Sequence, residues 1–252
     1  MRSRPGRSAG ALAAVALCLV AGACAPDGDV ADRASSLPGT ASPAPAALAP
    51  ATGITPAAGP SARTPADMVL NSGELKGYEI TPLRYEEVGG TERSDDSACA
   101  PLVGLVNLAP QPVPVSTVLR TAVDASRAGR DDQTVVTMLL AAYTRDDEAA
   151  SLVDRVRRAV ADCGPGFRTR GGDGPAVYTA ITALPAPRAG EDALAFRMSC
   201  GRGGQPSPLV FTVVRSGAAV VVFSAANYLD GVIPVIPPAL VTVQAAKLPH
   251  AS

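Results

Sequence analysis

The sequence has no tryptophan and only one histidine, His250. Ser-His-Asp catalysis, Cys-His catalysis and multi-histidine zinc sites all need a histidine held inside the folded domain, so we expect none of them. Lysine is scarce too, because Lys76 and Lys247 are the only two among 22 basic residues. Arginine, alanine, glycine and proline are abundant instead, which indicates GC-rich codons and a high-GC actinobacterial source.

The chain also lacks the patterns that accompany nucleic acids, metals and phosphates. Its net charge is −1 and it has no basic stripe, so no nucleic-acid partner is expected. The cysteines have no CxxC spacing, and the Gly201-Arg202-Gly203-Gly204 turn lacks the Lys-Ser/Thr of a phosphate-binding loop. We therefore expect no cofactor, no metal and no catalytic residue.

The first 23 residues are typical of a secretory signal peptide. Arg2, Arg4 and Arg7 form a positive region, an apolar run follows over 9–20, and small residues lead into Cys24. Because this run is shorter than the roughly 20 residues of a membrane-spanning helix, we do not expect it to be an anchor by itself.

The segment Val20-Ala21-Gly22-Ala23-Cys24 resembles the bacterial lipobox, whose cysteine receives a diacylglyceryl group. It departs from that pattern at Ala21, where leucine or another aliphatic residue is preferred. The resemblance implies a lipid on Cys24 that tethers the chain to the extracytoplasmic face of the cell membrane, since two acyl chains are enough for lasting attachment. The alternative is an ordinary signal peptide, cut after Ala23 or Ala25, and a soluble secreted protein.

Composition divides the rest of the chain into a stalk, one domain and a tail. Residues 24–64, which begin at the lipidated Cys24, are rich in Ala, Pro, Ser, Thr and Gly and have almost no large apolar side chain. Such a segment buries too little surface to fold, so we expect a disordered stalk. Residues 65–248 are rich in Val, Leu and Ala and suffice for one domain with a substantial core. Residues 249–252 are a short tail.

Apolar periodicity predicts one long helix and a series of strands in this domain. Acidic residues from Asp146 open the helix, apolar residues follow at three- and four-residue spacing up to Cys163, and Gly164-Pro165 ends it. Strands are predicted at 78–88, 134–143, 176–183, 192–198, 209–215 and 218–225, and shorter helices near 101–107 and 238–248. We therefore expect an α+β fold, with an antiparallel sheet of five or six strands, one long amphipathic helix and two shorter helices.

Three cysteines, Cys99, Cys163 and Cys200, lie in the domain. Outside the cytoplasm such cysteines tend to pair. Cys163 lies on the apolar stripe at the last turn of the predicted helix, whereas Cys99 follows the polar run 91–97, which a covalent link would stabilise. We favour a Cys99–Cys163 disulfide, with Cys163–Cys200 as the next pairing and three buried thiols as the remaining alternative.

A few charged residues are the other candidates for chemistry. Glu191-Asp192 and Asp95-Asp96 have the residue types of a glycosidase acid-base pair, but both lie where a loop meets a strand, and solvated acids are ordinary there. Arg197 and Arg215 lie on neighbouring predicted strands, where they would either meet an anionic ligand or belong to a solvated sheet face. The solvated face is the simpler interpretation.

Six segments, in this order, resemble a family of actinobacterial lipoproteins. They are Met68–Pro82, Cys99–Leu102, Ala159–Cys163 before Phe167, Gly190–Phe196, Val214–Gly217 and Val243–Leu248. Over nearly all of 65–248 the domain is similar to the extracellular sensor domain of the mycobacterial serine/threonine kinase PknH. The resemblance implies an antiparallel sheet with helices, a cleft for a ligand, disulfide bracing and no catalysis. The domain departs from the family's pattern of two disulfides, because it contains only three cysteines.

These observations lead to three functional hypotheses. The first is a non-catalytic, sensor-like binding module, tethered to the membrane through Cys24, that recognises a small molecule, an envelope component or a protein. The second is a carrier that shields a lipid or another apolar molecule in a cavity between the sheet and a helix. The third is a glycan hydrolase that uses Glu191-Asp192. The ligand-binding residues are not identifiable from the sequence.

Overall fold

The computed structural model describes residues 63–127, 134–172, 174–202, 205–226 and 232–249. The predicted signal peptide (1–23), Cys24, the predicted stalk up to residue 62 and the tail residues 250–252 lie outside the described residues. Within the described ranges, no helix is both long and apolar enough to cross a membrane.

The described residues form one sheet of nine strands in which every neighbouring pair is antiparallel. The strands are β1 (Tyr78–Leu83), β2 (Arg93–Ser94), β3 (Ser116–Asp124), β4 (Val135–Ala142), β5 (Phe167–Arg170), β6 (Ala176–Leu184), β7 (Asp192–Arg202), β8 (Gln205–Ser216) and β9 (Ala219–Ala226). The helices are α1 (Tyr85–Val88), α2 (Ala100–Val106), α3 (Asp146–Asp162) and α4 (Pro238–Ala245), and a single 3-10 turn lies at Ser97–Cys99. The order across the sheet is β1-β3-β4-β9-β8-β7-β6-β5-β2.

The predicted α+β class, with five or six strands, one long amphipathic helix and two shorter helices, is wrong. The nine-stranded sheet dominates, so the regular structure of the described residues is mostly β-strand. The sequence analysis missed β2 and β5 because they are too short for a periodic signal, and it missed β3 because this strand buries only Leu119 and Ala122. The strand predicted at 78–88 ends at Leu83, and Arg84 leads into the short α1.

Alternate side chains along the central strands point to opposite faces of the sheet, as the two-residue period of a strand requires. In β7, Phe196 and Met198 belong to the core that packs against α3. Their neighbours Ala195 and Arg197 point to the other face, where α4 lies. We call these two sides the α3 face and the α4 face.

Helix α3 covers the α3 face with an apolar stripe and keeps its charged residues in solvent. Ala149, Leu152, Val153, Val156 and Ala159 are buried along it, at the spacing expected for one side of a helix. Three acidic residues occupy its first turn, where negative charge interacts favourably with the helix dipole. The large side chains beneath it are closely packed, since the rings of Phe196 and Phe211 stack with centroids 4.9 Å apart.

A disulfide closes the α3 face. It joins Cys99, just before α2, to Cys163, just after α3, with an S–S distance of 2.06 Å and a Cα–Cα distance of 5.9 Å. This is the pairing favoured from the sequence. It fastens the short α2 and the polar segment before it to the end of α3, so the covering of this face is covalently braced.

The α4 face is covered by a shorter helix than the α3 face. Helix α4 and the segment Met68–Leu70 pack over β4, β8 and β9, where Met138, Leu140 and Phe223 are buried. Leu240 of α4 is fully buried against them. Because α4 has only eight residues, it reaches only part of the sheet.

Candidate functional site

A cleft of about 650 Å³ lies on the α4 face, between the sheet and α4. Its floor is formed by β7 and β8, one wall by α4 and the segment 233–236 before it, and the other wall by the β6–β7 loop around residues 184–189. The carrier hypothesis expected a cavity between the sheet and a helix. The helix at this cleft is the short α4, and the long α3 lies on the other face.

Small side chains on the floor leave this space open. Ala195 and Thr212 are direct cross-strand partners in the β7–β8 pair, and Arg197 and Val210 form the next pair on the same face. One position further along each strand, Phe196 and Phe211 point to the α3 face and fill it with two rings. The same pair of strands therefore packs tightly on one side and leaves a concave surface on the other.

The α4 wall is held by polar contacts to the segment at 68–74. The fully buried Gln244 side chain donates from Nε2 to the Met68 carbonyl oxygen at 2.7 Å and accepts from the Leu70 amide at 2.8 Å. At the end of the helix, the Lys247 ammonium donates to Glu74 at 2.7 Å and holds the pKa of that carboxyl below its usual value. Because a buried amide is costly to leave unpaired, these bonds hold α4 against the segment at 68–74.

The β6–β7 wall is held at its C-terminal end by Glu191. Its backbone amide donates to the Arg215 carbonyl oxygen at 2.9 Å, and its carboxylate accepts from the Gly217 amide at 3.0 Å and from the Arg215 guanidinium at 2.8 Å. Gly190 has a positive φ of 64°, and a Cβ there would collide with the Arg215 carbonyl oxygen. The cleft thus lies between two walls whose positions are fixed by hydrogen bonds.

Two arginines give the cleft its charge. Arg188 on the β6–β7 loop and Arg197 on the floor both line it, and no Asp or Glu is among the described lining residues. Neither guanidinium has an ion-pair or hydrogen-bond partner among the described residues. The N-terminal end of α4 also faces the cleft through Pro238, and the positive end of a helix dipole adds to the local potential.

The structure separates the two arginines that the sequence placed together. Arg215 alternates with Val214 and therefore points to the same side as Phe211 and Val213, which belong to the α3 face. Arg197 points into the cleft on the α4 face. A single anion cannot bridge them through the sheet, so Arg215 is not part of this site.

Three of the four acidic residues considered for catalysis form ion pairs, and the fourth caps a 3-10 turn. Glu191 is paired with Arg215, and Asp192 accepts from Arg157 of α3 at 2.7 Å. In the other pair, Asp95 lies 3.2 Å from Arg170, while Asp96 accepts from the Ala98 amide at 2.9 Å and caps the 3-10 turn. These carboxylates tie loops and strands together, and none of them is among the described residues that line the cleft.

A buried carboxylate that the sequence analysis missed lies on the α3 face. Glu92 is 8% exposed and accepts hydrogen bonds from the Thr169 hydroxyl at 2.7 Å and the Tyr178 hydroxyl at 2.9 Å. The Asn107 side chain accepts from the Glu92 backbone amide at 3.1 Å and donates to the Glu92 backbone carbonyl oxygen at 2.8 Å. Burial raises the pKa of Tyr178, with further contributions from Cys200 and Glu92. The cluster holds the segment before β2 against β5 and β6.

The remaining predicted site residues lie away from the cleft or outside the described residues. The Cys99–Cys163 disulfide and the remaining thiol, Cys200, belong to the α3 face. Cys24 lies outside the described residues. In the described part of the chain, no group of three or more His, Cys, Asp and Glu side chains is arranged to hold a metal ion.

The sequence signal that would have identified the cleft is the run from Val232 to Pro238. It is apolar and rich in proline, and it is too irregular for a helix or a strand. Several exposed apolar residues next to one another are typical of a binding surface. Val232, Ile233 and Val235 are 60%, 47% and 69% exposed, and the last two line the cleft.

No family model matches the chain, and no curated protein matches it in sequence. Among solved structures, it is similar to the extracellular domain of PknH from Mycobacterium tuberculosis, with a TM-score of 0.45 and 13% identity, over 72% of this chain and 91% of that chain. It is also similar to LpqN of Mycobacterium tuberculosis, which is involved in cell envelope biogenesis, with a TM-score of 0.27 and 16% identity, over 61% of this chain and 80% of that chain. The predicted resemblance to the PknH extracellular domain is confirmed.

Proposed function

We propose that this chain is an extracytoplasmic lipoprotein, tethered to the membrane through Cys24, whose domain binds a small apolar molecule in the α4 cleft without changing it chemically. The observation that carries the ligand proposal is the cleft itself. Its volume of about 650 Å³ lies within the range of about 300–1,000 Å³ that is typical of small-molecule sites.

The lining of the cleft supports an apolar ligand. Leu184, Ala195, Val210, Ile236 and Val241 contribute apolar surface on the floor and both walls. Burying a ligand's apolar surface against these side chains is worth about 25 cal/mol per Å² removed from water. The exposed Ile233 and Val235 extend this surface to the rim, where a ligand would enter.

We propose binding without catalysis because the carboxylates considered for catalysis form contacts outside the cleft. Glu191 and Asp192 are paired with Arg215 and Arg157, and Glu191 also holds the loop that forms one wall of the cleft. A hydrolase would need such a carboxylate to point at the bound molecule. We therefore do not propose the glycan hydrolase, while binding in the cleft is common to the carrier and the sensor hypotheses.

Filling the floor of the cleft tests the ligand proposal. Ala195→Leu adds bulk on the floor, and we expect it to weaken binding of a fluorescent acyl-chain probe on the order of tenfold, as one misfitting alkyl group does in an apolar pocket. The full chain carrying Cys24→Ser is used throughout, so that no attached lipid competes for the cleft.

Ala161→Leu, the same change at an exposed site on α3, is the matched control and should bind like the parent. Thr242→Phe is a second cleft variant, which narrows the cleft from the α4 wall and should also weaken binding of the probe. It replaces Ala195→Leu in the test if that substitution lowers the unfolding temperature. Unchanged probe affinity in both cleft variants would contradict the proposal.

The anchor proposal is tested separately in cells. We expect the parent chain to incorporate a labelled fatty acid and to sediment with membranes, and we expect Cys24→Ala to lose both properties because the acceptor sulfur is gone. Cys200→Ala, which removes a cysteine of the domain, is the control. Label in the Cys24→Ala chain, or a parent chain found only in the medium, would contradict anchoring at Cys24.

A further inference from the structure

We propose that the ligand of the α4 cleft is an anionic amphiphile, a single apolar chain that ends in a carboxylate or a phosphate, with its charged group bound by Arg188 and Arg197. This inference rests on the proposed function and adds the chemical class of the ligand. It assigns a role to two side chains that have no ion-pair or hydrogen-bond partner in the part of the chain that the structure describes.

The arginines of this region fall into two classes. Arg157 and Arg215, on the α3 side, lie 2.7 and 2.8 Å from the carboxylates of Asp192 and Glu191, so their charges are balanced within the protein. Arg188 and Arg197 line the cleft without such a partner among the described residues. An arginine that lacks a carboxylate in the protein is suited to bind one, or a phosphate, from a ligand.

The position of Arg197 connects the charge to the apolar surface. It lies on the floor directly opposite Val210 in the β7–β8 pair, and the next pair on the same face is Ala195 with Thr212. The Arg197 side chain therefore leaves the sheet beside a strip of small, mostly apolar floor residues, which are Val210, Ala195 and Thr212. A molecule lying along that strip places one end at the arginine and its chain against Val210, Ala195 and the Ile236 wall.

Two further features favour negative charge at this place. The described lining contains no Asp or Glu that would repel an anion. Helix α4 begins at Pro238, which lines the cleft, and its first turn contains no acidic residue that would neutralise the positive end of the dipole. A neutral apolar molecule uses none of these features, whereas an anionic amphiphile uses all of them.

The test compares three probes that share one alkyl chain, tetradecanoate, tetradecyl phosphate and tetradecan-1-ol, by competition in the full chain carrying Cys24→Ser. We expect both anions to bind about tenfold more tightly than the alcohol, a ratio that corresponds to about 1.4 kcal/mol. The ratio of the two anions identifies which headgroup is preferred. Inorganic phosphate alone should not compete, because it lacks the chain.

Arg188→Gln/Arg197→Gln should abolish the preference for the anions while the affinity for the alcohol stays within about twofold, since the change replaces the charged guanidinium groups by shorter neutral amides and leaves the apolar lining in place. The matched control is Arg155→Gln/Arg158→Gln, which removes two exposed arginines of α3 and should keep the preference. Equal affinity for all three probes in the parent, or a preference that survives in the Arg188/Arg197 variant, would overturn the anionic class but leave the apolar site standing. Failure of every probe to bind would overturn the proposed function as well.

Discussion

The two faces of the sheet are built from alternate residues of the same strands, yet they are covered to different extents. On the α3 face, Phe196 and Phe211 stack beneath a 17-residue helix, and a disulfide braces the covering. On the α4 face, the adjacent Ala195 and Thr212 are small, and the covering helix has eight residues. The comparison indicates a division of roles, in which one face supplies stability and the other leaves room for a ligand.

The difference arises from side-chain volume and from the length of the covering helix. A long helix with a continuous apolar stripe excludes water from every position that it crosses, and closely packed interiors have few voids. The short α4 is held to the segment Met68–Leu70 by the polar Gln244 contacts, and it does not extend over all of the small floor residues. We therefore expect substitutions on the two faces to affect different properties, stability on one and binding on the other.

Removing the disulfide should have the largest effect on stability. In the double variant Cys99→Ala/Cys163→Ala the unfolded chain regains the freedom of a loop spanning 64 residues, and we expect the free energy of unfolding to fall by about 4 kcal/mol. Denaturant titration measures this change. Cys200→Ala is the control and should cost clearly less, and an equal loss in both variants would contradict a bracing role for the disulfide.

Truncating an aliphatic side chain on each face sharpens the comparison. Leu152 of α3 is fully buried against the sheet, so Leu152→Ala should lower the free energy of unfolding by about 2–5 kcal/mol through lost burial and a residual cavity. Ile233 at the rim of the cleft is 47% exposed, so Ile233→Ala should cost less than about 1 kcal/mol. Both values come from denaturant titration, and similar losses at the two sites would contradict the assigned difference between the faces.

The buried tyrosines of the α3 face predict a smaller effect, which depends on pH. Burial raises the pKa of Tyr143 and of Tyr178, so both stay protonated in the folded protein at a pH where the unfolded chain releases its protons, near 10. Stability is therefore fully present below that pH and falls above it, by about 1.4 kcal/mol per pH unit for each tyrosine. Tyr143→Phe should reduce this slope in denaturant titrations at alkaline pH, and an unchanged slope would contradict the burial argument.

Helices and strands could be predicted from the sequence where their apolar residues repeat regularly over a sufficient length. The stripe that begins at Ala149 repeats over the whole of α3, and the apolar runs of β4 and β9 are buried on both faces. By contrast, β2 and β5 have two and four residues and are ordered only through their neighbours in the sheet. Strand order and strand count depend on long-range pairing, which local periodicity does not specify.

The cleft could not be predicted for a related reason. Its lining comes from β6, the loop after it, β7, β8 and α4, which meet only in the folded domain. The sequence identified Arg197 as a possible anion contact but paired it with Arg215, which the alternation of β8 places on the opposite face. Which face of a sheet stays partly uncovered depends on the length of the helix that covers it, and α3 is longer than α4 by about two and a half turns.

The most direct test of the account is methyl NMR of the full chain carrying Cys24→Ser during titration with tetradecan-1-ol, a neutral probe that depends only on the apolar cleft. We expect chemical-shift changes at Val210, Ile233, Ile236 and Val241, which line the cleft. The buried methyl groups of Leu152, Val156 and Val220 on the α3 face should stay unchanged. Changes centred on the α3 face, or spread equally over both faces, would contradict the proposal that the α4 face binds the ligand.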